Sequence, residues 1–107
     1  MGIEIGHHPD EERLDLTIEG NLDLRLAEDI LRACNLVDGR ISLCVIDSTR
    51  IGRVFDSGIG LLMLLCERLK AGDVTLVLVG EIPGLPASVT AHRRPPLADV
   101  VVGRLFA

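Results

Sequence analysis

The 107-residue sequence contains no Trp, no Tyr and only two Phe. Without aromatic platforms there is little for nucleic-acid bases to stack on, and a formal charge of −5 opposes a phosphate-backbone partner. No nucleic acid is expected as a ligand. Cysteine is also scarce: Cys34, Cys44 and Cys66 stand apart, with no Cys-x-x-Cys pair, so neither a zinc site nor a disulfide framework is implied. Each lies in an apolar segment and reads as a small buried hydrophobe. No apolar run approaches the ~20 residues needed to span a bilayer, and residues 1–10 have no basic region followed by an apolar core. A soluble, cytoplasmic chain is expected, without direct membrane insertion unless a partner holds it at a membrane.

What is present is a globular composition, 48% hydrophobic and 25% charged. The length suits one domain over 1–107. Ile3 and Ile5 alternate with Glu4 as in an edge strand, and the run from His7 to Glu12 reads as a polar turn. Leu14, Leu16 and Ile18 alternate with polar residues, the pattern of a strand with one buried face that Gly20 ends. From Asp23 the period changes. Leu24, Ala27, Ile30, Leu31 and Cys34 recur at helical spacing, with Asp23 as a candidate N-cap.

Residues 41–46 form an apolar run that reads as a central strand, followed by a polar loop from Asp47 to Phe55. Asp56-Ser57-Gly58 then opens a helix over residues 57–70, with Ile59, Leu62, Met63, Cys66 and Leu69 on its core face. Leu61 and Leu64 fall on the opposite side, either as scattered exposed leucines or as a contact surface. Residues 74–79 read as another buried strand. Strands and helices thus alternate as β-α-β-α-β over residues 14–80, with 1–13 as an N-terminal strand and loop. The fold class is α/β with parallel consecutive strands. Residues 81–107 form an irregular C-terminal segment, with a short helix over 87–92, a basic connector at Arg93-Arg94 and a last strand within 97–105.

The chemistry of an enzyme is largely missing. Ser57 neighbours Asp56, but His7, His8 and His92 fall in segments with no predictable place beside them. Gly58-x-Gly60 lacks the third glycine of a dinucleotide fingerprint. The paired His7-His8 has no carboxylate or thiol at ligand spacing. No catalytic residue, cofactor or metal is expected.

The stretch from Asp47 through Ser57-Gly58-Ile59-Gly60 resembles the signature of STAS domains, the family of bacterial anti-sigma-factor antagonists. Gly20-Asn21-Leu22-Asp23 is similar to the motif before that family's first helix, and Leu76-Val77-Leu78-Val79-Gly80 to its fourth strand. The resemblance is poorest in the C-terminal segment. It implies a mixed four- to five-stranded sheet with the helices packed mainly on one side. It also implies a partner-binding surface comprising Asp23, Thr49, Phe55, Asp56, Ser57, Gly58, Gly60, Leu61 and Leu64.

In that family a Ser at the helix start is phosphorylated and the charge disrupts binding. Aligned without gaps, Asp56 occupies the acceptor position and Phe55 that of the preceding Asp; a one-residue deletion instead makes Ser57 the acceptor. Asp56 is expected at the helix N-cap as a partial phosphate mimic, contributing about 0.5–2 kcal/mol over Ala. The implied partner is an anti-sigma factor of the serine-kinase type. The alternative is the ATPase subunit of a lipid-transport complex, which such domains join as small accessory subunits. A homodimer is a further possibility.

Overall fold

The computed structural model describes residues 2–86; the helix expected over 87–92, the Arg93-Arg94 connector, the strand expected within 97–105 and His92 lie outside the described residues. Leu14, Leu16 and Ile18 form the inward face of β2 (Arg13–Leu22). The antiparallel partner of β2 is β1 (Gly2–His8), in which Ile3 lies opposite Ile18 and Ile5 opposite Leu16. His7 and His8 thus belong to a strand, and the polar turn shrinks to a 3-10 turn at Pro9–Glu11. On the other side β2 runs parallel to β3 (Leu43–Val54), and β3 runs parallel to β4 (Thr75–Val79). The sheet is mixed and four-stranded, in the order β1-β2-β3-β4.

Leu14, Cys44 and Leu76 stand in register across the three parallel strands, as do Leu16, Ile46 and Leu78. These rows meet both helices, α1 (Ala27–Leu36) and α2 (Asp56–Ala71), in one core cluster. The helices therefore pack on one face of the sheet, as expected. The face of α1 is not the expected one. A 3-10 turn, Leu24–Leu26, precedes α1 and advances the chain by about 120° per residue rather than 100°. The phase rotates, so that Leu26, Ile30, Ala33 and Val37 are buried while Leu24 and Leu31 are 65% and 56% exposed.

The polar loop expected between residues 47 and 55 is also absent. β2 does not end at Gly20, and β3 does not end at Asp47; Gly20 pairs with Ile51 and Leu22 with Val54. The two strands continue as a two-stranded ribbon past the ends of β1 and β4, with Leu22 still in the core. Register shifts between Thr17/Glu19 and Gly20/Leu22 give β3 an extra residue at each step, the mark of β-bulges. At the first, Asp47 Oδ1 accepts from Thr49 N at 2.9 Å and from Thr49 Oγ1 at 2.7 Å. At the second, Asn21 Oδ1 accepts from Arg53 N at 2.9 Å. Side chains thus take over bonds that the irregular ladder cannot make.

The buried Ser48 hydroxyl donates to Val79 O at 3.0 Å, tying the first bulge to the end of β4. The chain turns away there at Gly80, with φ +87°, where a Cβ would sit 2.8 Å from Ser48 Oγ. Arg68 Nη2 donates to Val37 O at 2.6 Å and so ties α2 to the exit of α1.

Candidate partner-binding site

The ribbon of β2 and β3 delivers the chain to the start of α2. Phe55 N donates to Leu22 O at 2.9 Å, closing the ribbon, and Ile59 N donates to Phe55 O at 3.0 Å, opening the helix. Phe55 is thus the N-cap, with extended backbone and no side-chain cap bond, while Asp56 is the first helical residue. The expected capping contribution of Asp56 therefore does not apply. A carboxylate in the first turn still faces the positive end of the helix dipole, worth about 0.3–1 kcal/mol at an exposed site.

Two glycines that look alike in sequence play different parts. Gly58 is buried against the Leu22 backbone: a Cβ there would overlap Leu22 O and C and stand 2.7 Å from Leu22 Cγ. Gly60, two residues on and so on the other side of the helix, is exposed, and a Cβ there would meet nothing within 4 Å. Close backbone approach accounts for Gly58 alone.

Asp23 continues from Leu22 and lies beside the ribbon end. Its Oδ1 accepts from Arg25 N at 2.9 Å, capping the 3-10 turn rather than α1, and its Oδ2 accepts from Arg25 Nη2 at 2.8 Å. The side-chain hydrogen bonds from Arg25 hold the Asp23 carboxyl below its ordinary value of 3.8.

The structure brings Asp23, Phe55, Asp56, Ser57 and Gly58 together around Leu22. Phe55, Asp56 and Ser57 are exposed. Asp56, Gly60 and Leu64 follow at four-residue steps along one exposed stripe of α2, and Leu64 is 57% exposed. Leu61 departs from the expectation: it is half-buried and packs against the core cluster. Leu65, buried in that cluster, belongs to the core face instead. Thr49 stands at the first bulge, six residues before Phe55, roughly 15–20 Å away along a strand. It is not part of the group around Leu22.

Asn21 is a site residue that the sequence reading missed. Its side chain holds the ribbon on which Phe55 is mounted, and the absence of a Cβ at Gly52 leaves room for its Oδ1. The Asn21-to-Gly52 approach depends on a non-local pairing, so no local pattern announces it.

Behind Asp23 lies an open cleft of about 170 Å³ lined by Gly2, Glu19, Asn21, Asp23, Arg25, Leu26 and Asp29. Each carboxylate there has an arginine: Glu19 with Arg50 at 3.4 Å, Asp23 with Arg25 at 2.8 Å, Asp29 with Arg32 at 3.4 Å. Among the described residues no group of three ligating side chains is placed to hold a metal. His8 pairs with Arg13, nine residues along β2 from Leu22 and hence roughly 30 Å from Ser57. No described histidine therefore activates Ser57.

Cys44 of β3 and Cys66 of α2 both lie in the core cluster, and Cys34 of α1 packs against it. Burial pushes the Cys66 thiol up to about 11 and the Cys44 thiol higher still. All three are free thiols.

A mixed sheet in chain order, with two helices on one face and the second starting on the end of a ribbon, defines an α/β fold of the STAS type. The chain has the fold of the anti-sigma factor antagonist SpoIIAA. It matches that protein in its unphosphorylated form over 98% of both chains, with a TM-score of 0.69 at 16% identity. It matches the phosphorylated form of the Bacillus cell fate determinant SpoIIAA over 96% of this chain and 98% of that one, with a TM-score of 0.68 at 16% identity. A structure of Mglu is similar over 78% of this chain but only 20% of its own, with a TM-score of 0.59 at 24% identity. No family model matches the sequence, and no curated protein matches it. Among the described residues no helix is long and apolar enough to cross a membrane.

Proposed function

We propose that this chain is a cytoplasmic, non-catalytic regulatory module that works as an anti-sigma-factor antagonist does, by binding an anti-sigma factor of the serine-kinase type. The observation that carries the reading is the first turn of α2. It is pinned on Leu22 through Gly58 and holds Asp56 and Ser57 exposed beside Phe55, in a chain with the fold of SpoIIAA. Phe55, Gly60 and Leu64 supply the apolar part of the surface, with Asp23 and Ser57 at its margin. Leu61 supports it from beneath.

Asp56 takes the place of the phosphorylated Ser. Its single charge compares with about −1.5 to −2 for a phosphate, so it imitates the modified state in part and holds the module in one signalling state. Mass spectrometry after incubation with ATP and the cognate kinase tests this. The wild-type chain is expected to take no phosphate and Asp56→Ser to take one. Phosphate on Ser57 of the wild type would sink the assignment and make Ser57 the acceptor.

A permanent carboxylate also suits constitutive assembly, which favours a second reading: an accessory subunit on the ATPase of a lipid-transport complex. Co-purification with such an ATPase, and not with a kinase, would select it.

A further inference from the structure

Among the described residues, β1 forms one side of the sheet and its outer edge pairs with no other strand. Ile3 fixes which groups point outward. Its N–H donates to Asp29 Oδ2 at 3.2 Å, away from β2, so by the alternation of an antiparallel pair Ile5 and His7 also direct N–H and C=O outward. Gly2, Glu4, Gly6 and His8 direct theirs to β2. Edge strands are usually blunted by Pro, Lys or a bulge. The span Gly2–His8 has no Pro and no Lys, and it pairs with β2 without a register shift.

The edge is complementary to itself. Glu4 and His8 are exposed on the face away from the helices, two positions on either side of Gly6; His8 Nε2 lies 3.7 Å from Asp15 Oδ2 of its own chain, so its ring swings outward to meet the second copy. A two-fold axis through Gly6 sets Glu4 of one copy opposite His8 of the other, twice over. It also sets Ile5 opposite His7, with each pair exchanging both backbone bonds. Ile3 then faces Pro9, which has no N–H to offer, while its own N–H stays on Asp29. At the axis two glycines meet at a position where Cα atoms come within about 4.5 Å. Within its own chain, Gly6 leaves room for the His8 ring, whose Nε2 lies 3.1 Å from the place of a Gly6 Cβ.

We propose that β1 pairs antiparallel with β1 of a second copy about Gly6, joining two four-stranded sheets into one through an isologous contact. The contact is small, so association is reversible and concentration-dependent.

Sedimentation equilibrium of the full chain tests it, with circular dichroism as the check on folding. The wild type is expected to show a monomer–dimer equilibrium. His8→Glu, which sets like charges opposite each other at two places, is expected to weaken it about tenfold, and Glu4→Lys with His8→Glu to restore it. Ile5→Pro removes an outward donor that β2 does not use and is expected to abolish the dimer. A wild-type chain that stays monomeric at every soluble concentration overturns the proposal. So does a dimer that His8→Glu and Ile5→Pro leave unchanged.

Discussion

Replacing Gly58 and Gly60 by Ala in turn separates what the fold requires of the start of α2 from what a partner requires. Alanine is worth about 1 kcal/mol over glycine in a helix interior. At Gly60 nothing within 4 Å opposes that gain, so Gly60→Ala is expected to stabilise the isolated domain by about 0.5–1 kcal/mol. For a domain of this size that is roughly 2–8 °C in Tm. At Gly58 the new methyl would occupy the place of the Leu22 carbonyl. The helix must lift, at about 1–3 kcal/mol for overpacking, and the Phe55 N–H to Leu22 O bond is strained or lost, at about 1 kcal/mol more. Set against the propensity gain, Gly58→Ala is expected to destabilise by about 1–3 kcal/mol. Urea unfolding followed by circular dichroism gives both values. Equal effects at the two positions would refute the claim that α2 rests on the ribbon through Gly58. Because Gly60 lies on the proposed contact stripe, Gly60→Ala is also expected to weaken partner binding while raising stability.

Leu64→Asp is expected to leave unfolding unchanged and to abolish partner binding by calorimetry, whereas Leu61→Asp, placed against the core, is expected to cost stability. The buried Cys44 and Cys66 thiols are expected to resist alkylation in the native state, with half-buried Cys34 modified first when labelling is followed by mass spectrometry. Because the folded Cys66 value is raised, its contribution to stability is full below 9.0 and is lost as the pH climbs to about 11; denaturant midpoints measured across that window check the sign. In a carboxyl NMR titration Asp23 is expected to titrate below 3.8, and Arg25→Gln to move it back up. Stability that depends on the Asp23 carboxylate is present above 3.8 and falls away in more acid solution.

The parts of the fold that could be read in the sequence are those where burial imposes a period. Leu14, Leu16 and Ile18 alternate because β2 has one covered face, and α2 spans Asp56–Ala71 against an expected 57–70 because its apolar stripe is long. The second half of β3 gives no such signal. Thr49, Arg50, Gly52 and Arg53 are exposed, and they form a strand only because Gly20 and Leu22 offer them a ladder. Periodicity failed again at Leu24 and Leu31, where a 3-10 turn shifted the phase of α1 by a few tens of degrees. At the site, the residue types around Asp56 were visible from the motif. The parts taken by Asn21, Gly52 and Leu22 were not, since they depend on contacts across some 30 positions of chain.

The strand order has a consequence for synthesis. In the sheet β1-β2-β3-β4, space follows sequence, so each strand emerging from a ribosome finds its neighbour already made. No gap must be held open for a later segment. Because domains fold as the chain is made, N-terminal part first, the β1–β2 hairpin can nucleate on its own short connection. β3 and then β4 can each dock on a finished edge. The growing edge exposes unpaired backbone only until the next strand arrives. In sheets whose order is shuffled, a central strand comes late and two edges wait, open to pairing with other chains. Slowing translation after β3 should therefore leave β1, β2 and β3 paired, with the parallel edge of β3 exposed to the cell in addition to the outer edge of β1.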